Sequence, residues 1–302
     1  VAGRHNILFI GPAGTGKSMI ASRISGIMPL MSLEERIEVS KIYSVCGSLP
    51  QNEPLLIKRP YRSPHHSISP NALAGGGAKP KPGEISLAHR GVLFLDELAE
   101  FKRETLEVLR QPMEDGKISI SRIKGSYIFP ADFILAAATN PCKCGFYPDR
   151  NKCRCDIRQI QHYLGRISKP LLDRIDICVE TRPLSYSELR KEGSGETSAA
   201  IRKRVEAVRL IQNERFKKHG ISFNGQMDKK LVDRYCLLSK KDEEFLKEIY
   251  EAKKMSVRAL HKILKVARTV ADMEESEGIL HKHLCEAVSY RGLEEKYWGG
   301  KR

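Results

Sequence analysis

The octapeptide GPAGTGKS, residues 11 to 18, follows the apolar run NILFI and leads into a segment of helical periodicity that continues to about Met28. No other stretch constrains the fold as strongly. Three glycines let the backbone curl until successive N–H groups face inward, and the helix that follows adds its positive end. Such a loop between a buried strand and a helix cradles a phosphate chain. Gly11, Pro12, Ala13, Gly14, Thr15 and Gly16 form the cradle and Met19 ends the contacting run. Lys17 reaches the β- and γ-phosphates and Ser18 holds Mg²⁺, so ATP and Mg²⁺ are the expected cofactors.

The run VLFLDE, residues 92 to 97, reads as a second buried strand ending in two carboxylates, at the strand edge where open α/β sheets bind ligands. Asp96 is expected to bind Mg²⁺ through its water shell, and Glu97 to orient and deprotonate the water that attacks the γ-phosphate. DFILAAATN reads as a third strand that ends on Asn140, whose amide can contact the γ-phosphate or that water; TNP also reads as a turn initiator. Between these strands, Ser32 and Glu35 form a capping box ahead of a second helix. Residues 46 to 83 turn rich in Pro, Gly, Ser and His and read as an insertion too polar to be core. GKISISRIKGSYIFP alternates about a basic turn and predicts a β-hairpin with Arg122 and Lys124 near its tip. LLDRIDICVE supplies a further strand, and beyond a capping box at Ser185 and Glu188 the pattern is amphipathic helix. The expected architecture is a three-layer α/β/α domain with a parallel sheet over residues 1 to 185, followed by an all-α lid over residues 186 to 302.

Composition narrows the class. With 41% hydrophobic and 29% charged residues the chain reads as globular, and its longest apolar runs are too short for a bilayer. The N-terminal residues lack the pattern of a secretory signal, so a reducing cytoplasm is expected, where clustered cysteines suggest metal sooner than disulfide. Lysine and arginine outnumber aspartate and glutamate by 52 to 37, a net +15 that favours a polyanionic partner such as nucleic acid, or serves solubility and phosphate binding. A strand within six residues of the start, without an initiator methionine, reads as a fragment of something longer.

GPAGTGKS, VLFLDE, AAATN and LLDRID in this order resemble an AAA+ ATPase. RPYRSPHHSIS, GGGAKPKPGEISLAHRGVLFLDEL, NPCKCG and CRC extend the match to the Mg-chelatase-like ATPases of the ComM type. That resemblance implies a ring, taken as a hexamer, with a Lon-protease-like domain ahead of the ATPase and a role in branch migration of DNA during natural transformation. By the same resemblance Arg174 is an arginine finger entering a neighbouring subunit's ATP site, the other reading being a salt bridge to Asp173 and Asp176. Arg258 is a second sensor arginine at the start of a lid helix, where it would touch the γ-phosphate. The hairpin and the insertion would face a central pore, where Arg122, Lys124, Lys79 and Lys81 grip the phosphates of single-stranded or branched DNA; the alternative is ordinary surface charge. A magnesium-chelatase motor subunit and a protein-remodelling ATPase are the competing functions.

Four of the eight cysteines fall between residues 142 and 155. In extended chain, residues i and i+2 point the same way, so Cys142 with Cys144, and Cys153 with Cys155, can each present two thiolates. A turn between the pairs would complete a Cys₄ zinc site; four reduced structural thiols are the alternative. His65 and His66 are not expected to share a metal, because neighbours in an extended segment point to opposite faces.

Overall fold

The structure, a computed structural model, describes residues 1–50, 52–77, 79–122, 125–186, 188 and 195–299. Strands β1 (Ile7–Ile10), β2 (Tyr61–Arg62), β5 (Val92–Leu95), β8 (Ile134–Thr139) and β9 (Ile177–Glu180) form a parallel sheet in the order β2-β5-β8-β1-β9. Two antiparallel pairs stand apart from it: β3 (Gly75–Gly76) with β4 (Lys81–Pro82), and β6 (Lys117–Arg122) with β7 (Gly125–Pro130).

Alternation along the strands builds the layers. Leu8, Ile10, Leu93, Leu95, Leu135 and Ala137 enter one buried cluster, while Phe9, Val92, Phe94, Ile134, Ala136 and Ala138 enter the other. A strand buried on both faces reads as a continuous apolar run, which is why these segments were legible as strands at all. The second cluster is covered by the Lys17–Ile24 helix through Ala21 and Ile24, and the first by the helices around Leu106, Leu109, Ile160 and Leu164.

The segment 46 to 83 departs from its expected exclusion from the core. Tyr61 and Arg62 pair with Val92 and Leu93 as an edge strand, and Leu73 is fully buried in the larger cluster. Arg62 holds the segment down with a two-point ion pair to Glu84, at 2.6 and 2.7 Å.

From Ser198 onward the described chain is helical, with its own core around Phe216, Leu246, Ile263, Val266 and Leu284. Thr197 caps the Ser198–Phe216 helix and Ser256 caps the Val257–Met273 helix, each side-chain oxygen accepting a backbone N–H. Buried Asp272 accepts from Arg215, Arg268 and Asn224, so its charge is paired and hydrogen-bonded. This part is fastened to the sheet by Lys262 on Asp176 at 2.5 Å and by His5 against Thr269 at 2.8 Å. No helix among the described residues is long and apolar enough to cross a membrane.

Candidate nucleotide-binding site

Because the five strands are parallel, the residues that follow β1, β5 and β8 emerge at one sheet edge. The strand order decides their arrangement: β8 lies between β5 and β1, so Asn140 stands between the Asp96–Glu97 pair and the glycine-rich loop. A cleft of about 410 Å³ opens there, lined by residues of that loop from Ala13 to Met19 together with Asp96, Glu97 and Asn140.

The loop owes its shape to its glycines. Gly14 and Gly16 have φ of 76° and 80°, in the region that favours glycine. Gly11 meets a different demand, since a Cβ there would lie 2.2 Å from the Thr181 carbonyl oxygen after β9. The Lys17 ammonium donates to the Gly11 and Pro12 carbonyls at 2.7 and 2.6 Å and to Asn140 Oδ1 at 3.2 Å. Burial draws its pKa below the ordinary lysine value, against the pull of Asp96. Ser18 Oγ donates to Asp96 Oδ2 at 2.6 Å, bringing together two oxygens of the kind Mg²⁺ takes. Met19 is exposed beside Gly16.

Glu97 takes a left-handed backbone, φ 52° and ψ 47°, which costs a non-glycine residue about 1 kcal/mol or more. Its N–H donates to Asp96 Oδ1 at 2.9 Å, and its carboxylate lies 3.3 Å from His66 Nδ1. Two contributors to this site were missed in the sequence. Thr181, whose hydroxyl is 2.7 Å from that of Thr15, follows β9 as Asn140 follows β8, and strand-end position was the available signal. His66 had no such signal. His65 and His66 sit in a turn closed by the Ile68 N–H on the His65 carbonyl, and their ring centroids lie 4.0 Å apart. The extended geometry assumed for this pair is therefore wrong, because the turn brings both rings to one side.

Arg174 and Arg258 do not line this cleft. They meet at another cavity of about 840 Å³ bounded also by Glu114, Asp176 and Lys262. Both arginines pair with the Glu114 carboxylate, Arg174 at 2.7 Å and Arg258 at 3.0 Å. Arg174 is buried and also donates to the Arg110 and Pro170 carbonyls at 3.2 and 2.7 Å. Its ion-pair partner is Glu114, in place of the expected Asp173 or Asp176; Asp176 is taken by Lys262.

Lys79 and Lys81 are exposed, Lys81 on β4. Arg122 ends β6 opposite Gly125, and Lys124 lies outside the described residues. The sulfurs of Cys142, Cys144, Cys153 and Cys155 lie within 4.8 Å of one another, a set able to hold a metal ion.

Comparison with known proteins agrees with this arrangement. The family described as magnesium chelatase, subunit ChlI, matches residues 1–189, and that described as the ChlI C-terminal part matches residues 195–291. Competence protein ComM of Haemophilus influenzae is 48% identical over 296 residues, 97% of this chain and 56% of its own length. The protein YifB of Salmonella typhimurium is 46% identical over 294 residues, 97% of this chain and 57% of its own. A magnesium-chelatase 67 kDa subunit of Chlorobaculum parvum is 28% identical over 120 residues, 40% of this chain and 16% of its own. The chain thus spans a little over half the length of the ComM and YifB relatives it matches. With a parallel sheet, a glycine-rich phosphate loop at its edge and a helical C-terminal part, this chain belongs to the magnesium chelatase ChlI family of AAA+ proteins, of the ComM type.

Proposed function

We propose that the chain is the ATP-hydrolysing part of a cytoplasmic AAA+ ring, a hexamer, that moves on DNA and drives branch migration. The observation that carries the ATPase reading is the meeting of Lys17, Ser18, Asp96, Glu97 and Asn140 at one cleft. In that cleft Ser18 and Asp96 would hold Mg²⁺, which would supply positive charge against the phosphates. Glu97 takes the proton of the attacking water, and Lys17 with Asn140 contacts the γ-phosphate. Arg174 and Arg258 act across the subunit interface, a role supported by their place at another cavity than their own chain's nucleotide cleft. The DNA reading is supported by the net +15 charge and by the likeness to a protein named for competence. Residues 1 to 185 form the motor domain and residues 186 to 302 the lid. Lys79, Lys81, Arg122 and Lys124 are the residues assigned to the DNA phosphates. To ATP and Mg²⁺ the reading adds a structural Zn²⁺ on Cys142, Cys144, Cys153 and Cys155.

A second reading, a motor subunit for metal insertion into a porphyrin, is favoured by the family description itself. ATP turnover measured with single-stranded DNA, branched DNA, a porphyrin system and an unfolded protein separates these functions. Stimulation by DNA alone supports the first, and an unchanged rate and assembly state with DNA overturns it.

A further inference from the structure

The segment between Asn140 and the Ile157–Leu164 helix is a short knot of turns. Gly145 N–H donates to the Cys142 carbonyl at 3.0 Å, and Cys153 N–H donates to the Asp149 carbonyl at 2.8 Å. This folds the second cysteine pair back onto the first. Three sulfur separations result: 3.3 Å for Cys142 to Cys144, 3.7 Å for Cys142 to Cys153 and 3.6 Å for Cys144 to Cys153. A disulfide needs sulfurs about 2.05 Å apart. Four sulfurs each about 2.3 Å from one zinc ion are separated by about 3.8 Å at tetrahedral angles, close to the spacing here. The Tyr147 N–H donates to Cys142 Sγ at 3.5 Å, a contact that favours a thiolate ligand. Lys143, Arg150, Lys152 and Arg154 lie among the ligands in sequence and oppose the two negative charges of a tetrathiolate zinc centre.

The knot has two attachments to the nucleotide cleft. Its first ligand lies two residues after Asn140, whose amide oxygen accepts from Lys17. Its turn also rests on the phosphate loop: a Cβ at Gly145 would lie 3.8 Å from Ala13 N and 4.0 Å from Pro12 Cα, ordinary contact distance. Cys142 and Cys153 are buried in the main core, Cys155 is half-buried and Cys144 is exposed, so one side of the knot is anchored and the other reaches solvent. Without a central tie, the 14 positions from Cys142 to Cys155 are held by turn hydrogen bonds and the two buried thiols.

We propose that the zinc-bound knot is a wall of the nucleotide site: it seats Pro12, Ala13 and Asn140, so nucleotide affinity depends on a metal that touches no nucleotide atom. The proposal rests on the reading of the four cysteines as a zinc site. Metal content of the protein purified without chelator tests that reading first, with about one zinc per chain expected and less than half an equivalent overturning both it and the proposal. Zinc is then withdrawn with a chelator that spares Mg²⁺. Affinity for a fluorescent ATP analogue and amide exchange of peptides spanning residues 11 to 16 and 92 to 95 are compared before and after. The expected result is faster exchange at residues 11 to 16, unchanged exchange at 92 to 95, and affinity weakened about tenfold, as when a binding group is displaced by a fraction of an ångström or more. Returning zinc restores both. Zinc that binds and leaves without altering nucleotide affinity or phosphate-loop exchange overturns the wall while leaving the metal site intact. Loss of protection at residues 92 to 95 as well also overturns it, since a wall can be removed with the sheet unharmed.

Discussion

Replacing Arg174 by alanine separates a structural arginine from one that works in a neighbour's site. Its guanidinium has three partners, the Arg110 and Pro170 carbonyls and the Glu114 carboxylate, and it is buried. Hydrogen bonds involving a charged group contribute about 1.5 to 3 kcal/mol each, but the carbonyls and the half-exposed Glu114 recover water when the guanidinium goes, so a net loss of about 2 to 4 kcal/mol is expected. That loss appears as a lower denaturation midpoint. Removal of an arginine that also stabilises the transition state lowers kcat by about a thousandfold or more, well beyond what a still-folded chain would lose through stability. The assay mixes equal amounts of Arg174→Ala and Glu97→Gln chains, each inert alone. An interface works only when the Glu97-bearing chain meets the Arg174-bearing neighbour, which random assembly gives at about a quarter of interfaces, so about a quarter of the parent rate should return. Assembled mixed rings with no recovered turnover would refute action in trans.

Acid should weaken the attachment of the helical part. Burial pushes the His5 pKa down to about 4 from an ordinary 6.5, against the pull of Asp176, so the folded chain holds this ring neutral. The unfolded chain binds its proton first, and the contribution, on the order of 3 kcal/mol, is complete above about pH 6.5 and disappears as pH falls towards 4. Melting of the parent beside His5→Gln between pH 7.5 and 4.5 checks this, and equal slopes for both would contradict it. His66→Ala, which removes the 3.3 Å partner of the Glu97 carboxylate, should raise DNA-independent ATP turnover by freeing the base; a rate at or below the parent's tells against that contact as a restraint. Replacing Lys79 and Lys81 together should lower the dependence of log affinity on log salt by about 1.4 for single-stranded DNA, and an unchanged slope would place both lysines off the path.

What the sequence disclosed and what it hid follow from range in the chain. Asp96, Glu97 and Asn140 directly follow apolar runs and Lys17 and Ser18 follow the glycine-rich loop after another, so a rule about one sheet edge was enough to group them. Strand β2 escaped because it is two residues long, Tyr61 and Arg62, and its pairing comes from the neighbouring Val92 and Leu93. The surroundings of Arg174 and Arg258 depend on Glu114, which is remote from both in sequence and meets them only through packing. His66 approaches Glu97 because a local turn reverses the direction that extended chain would give its ring. For the cysteines, both the spacing within each pair and a turn between the pairs were readable, because that turn is local in the chain.

The central claim is that Glu97, at the edge beside Asp96, activates water against ATP held by the glycine-rich loop. Glu97→Gln tests it most directly when binding and turnover are measured on the same preparation. The account predicts Mg²⁺-ATP affinity within about threefold of the parent and turnover reduced at least about a hundredfold, the size of a lost general base. A Glu97→Gln chain that hydrolyses ATP at the parent rate would contradict it.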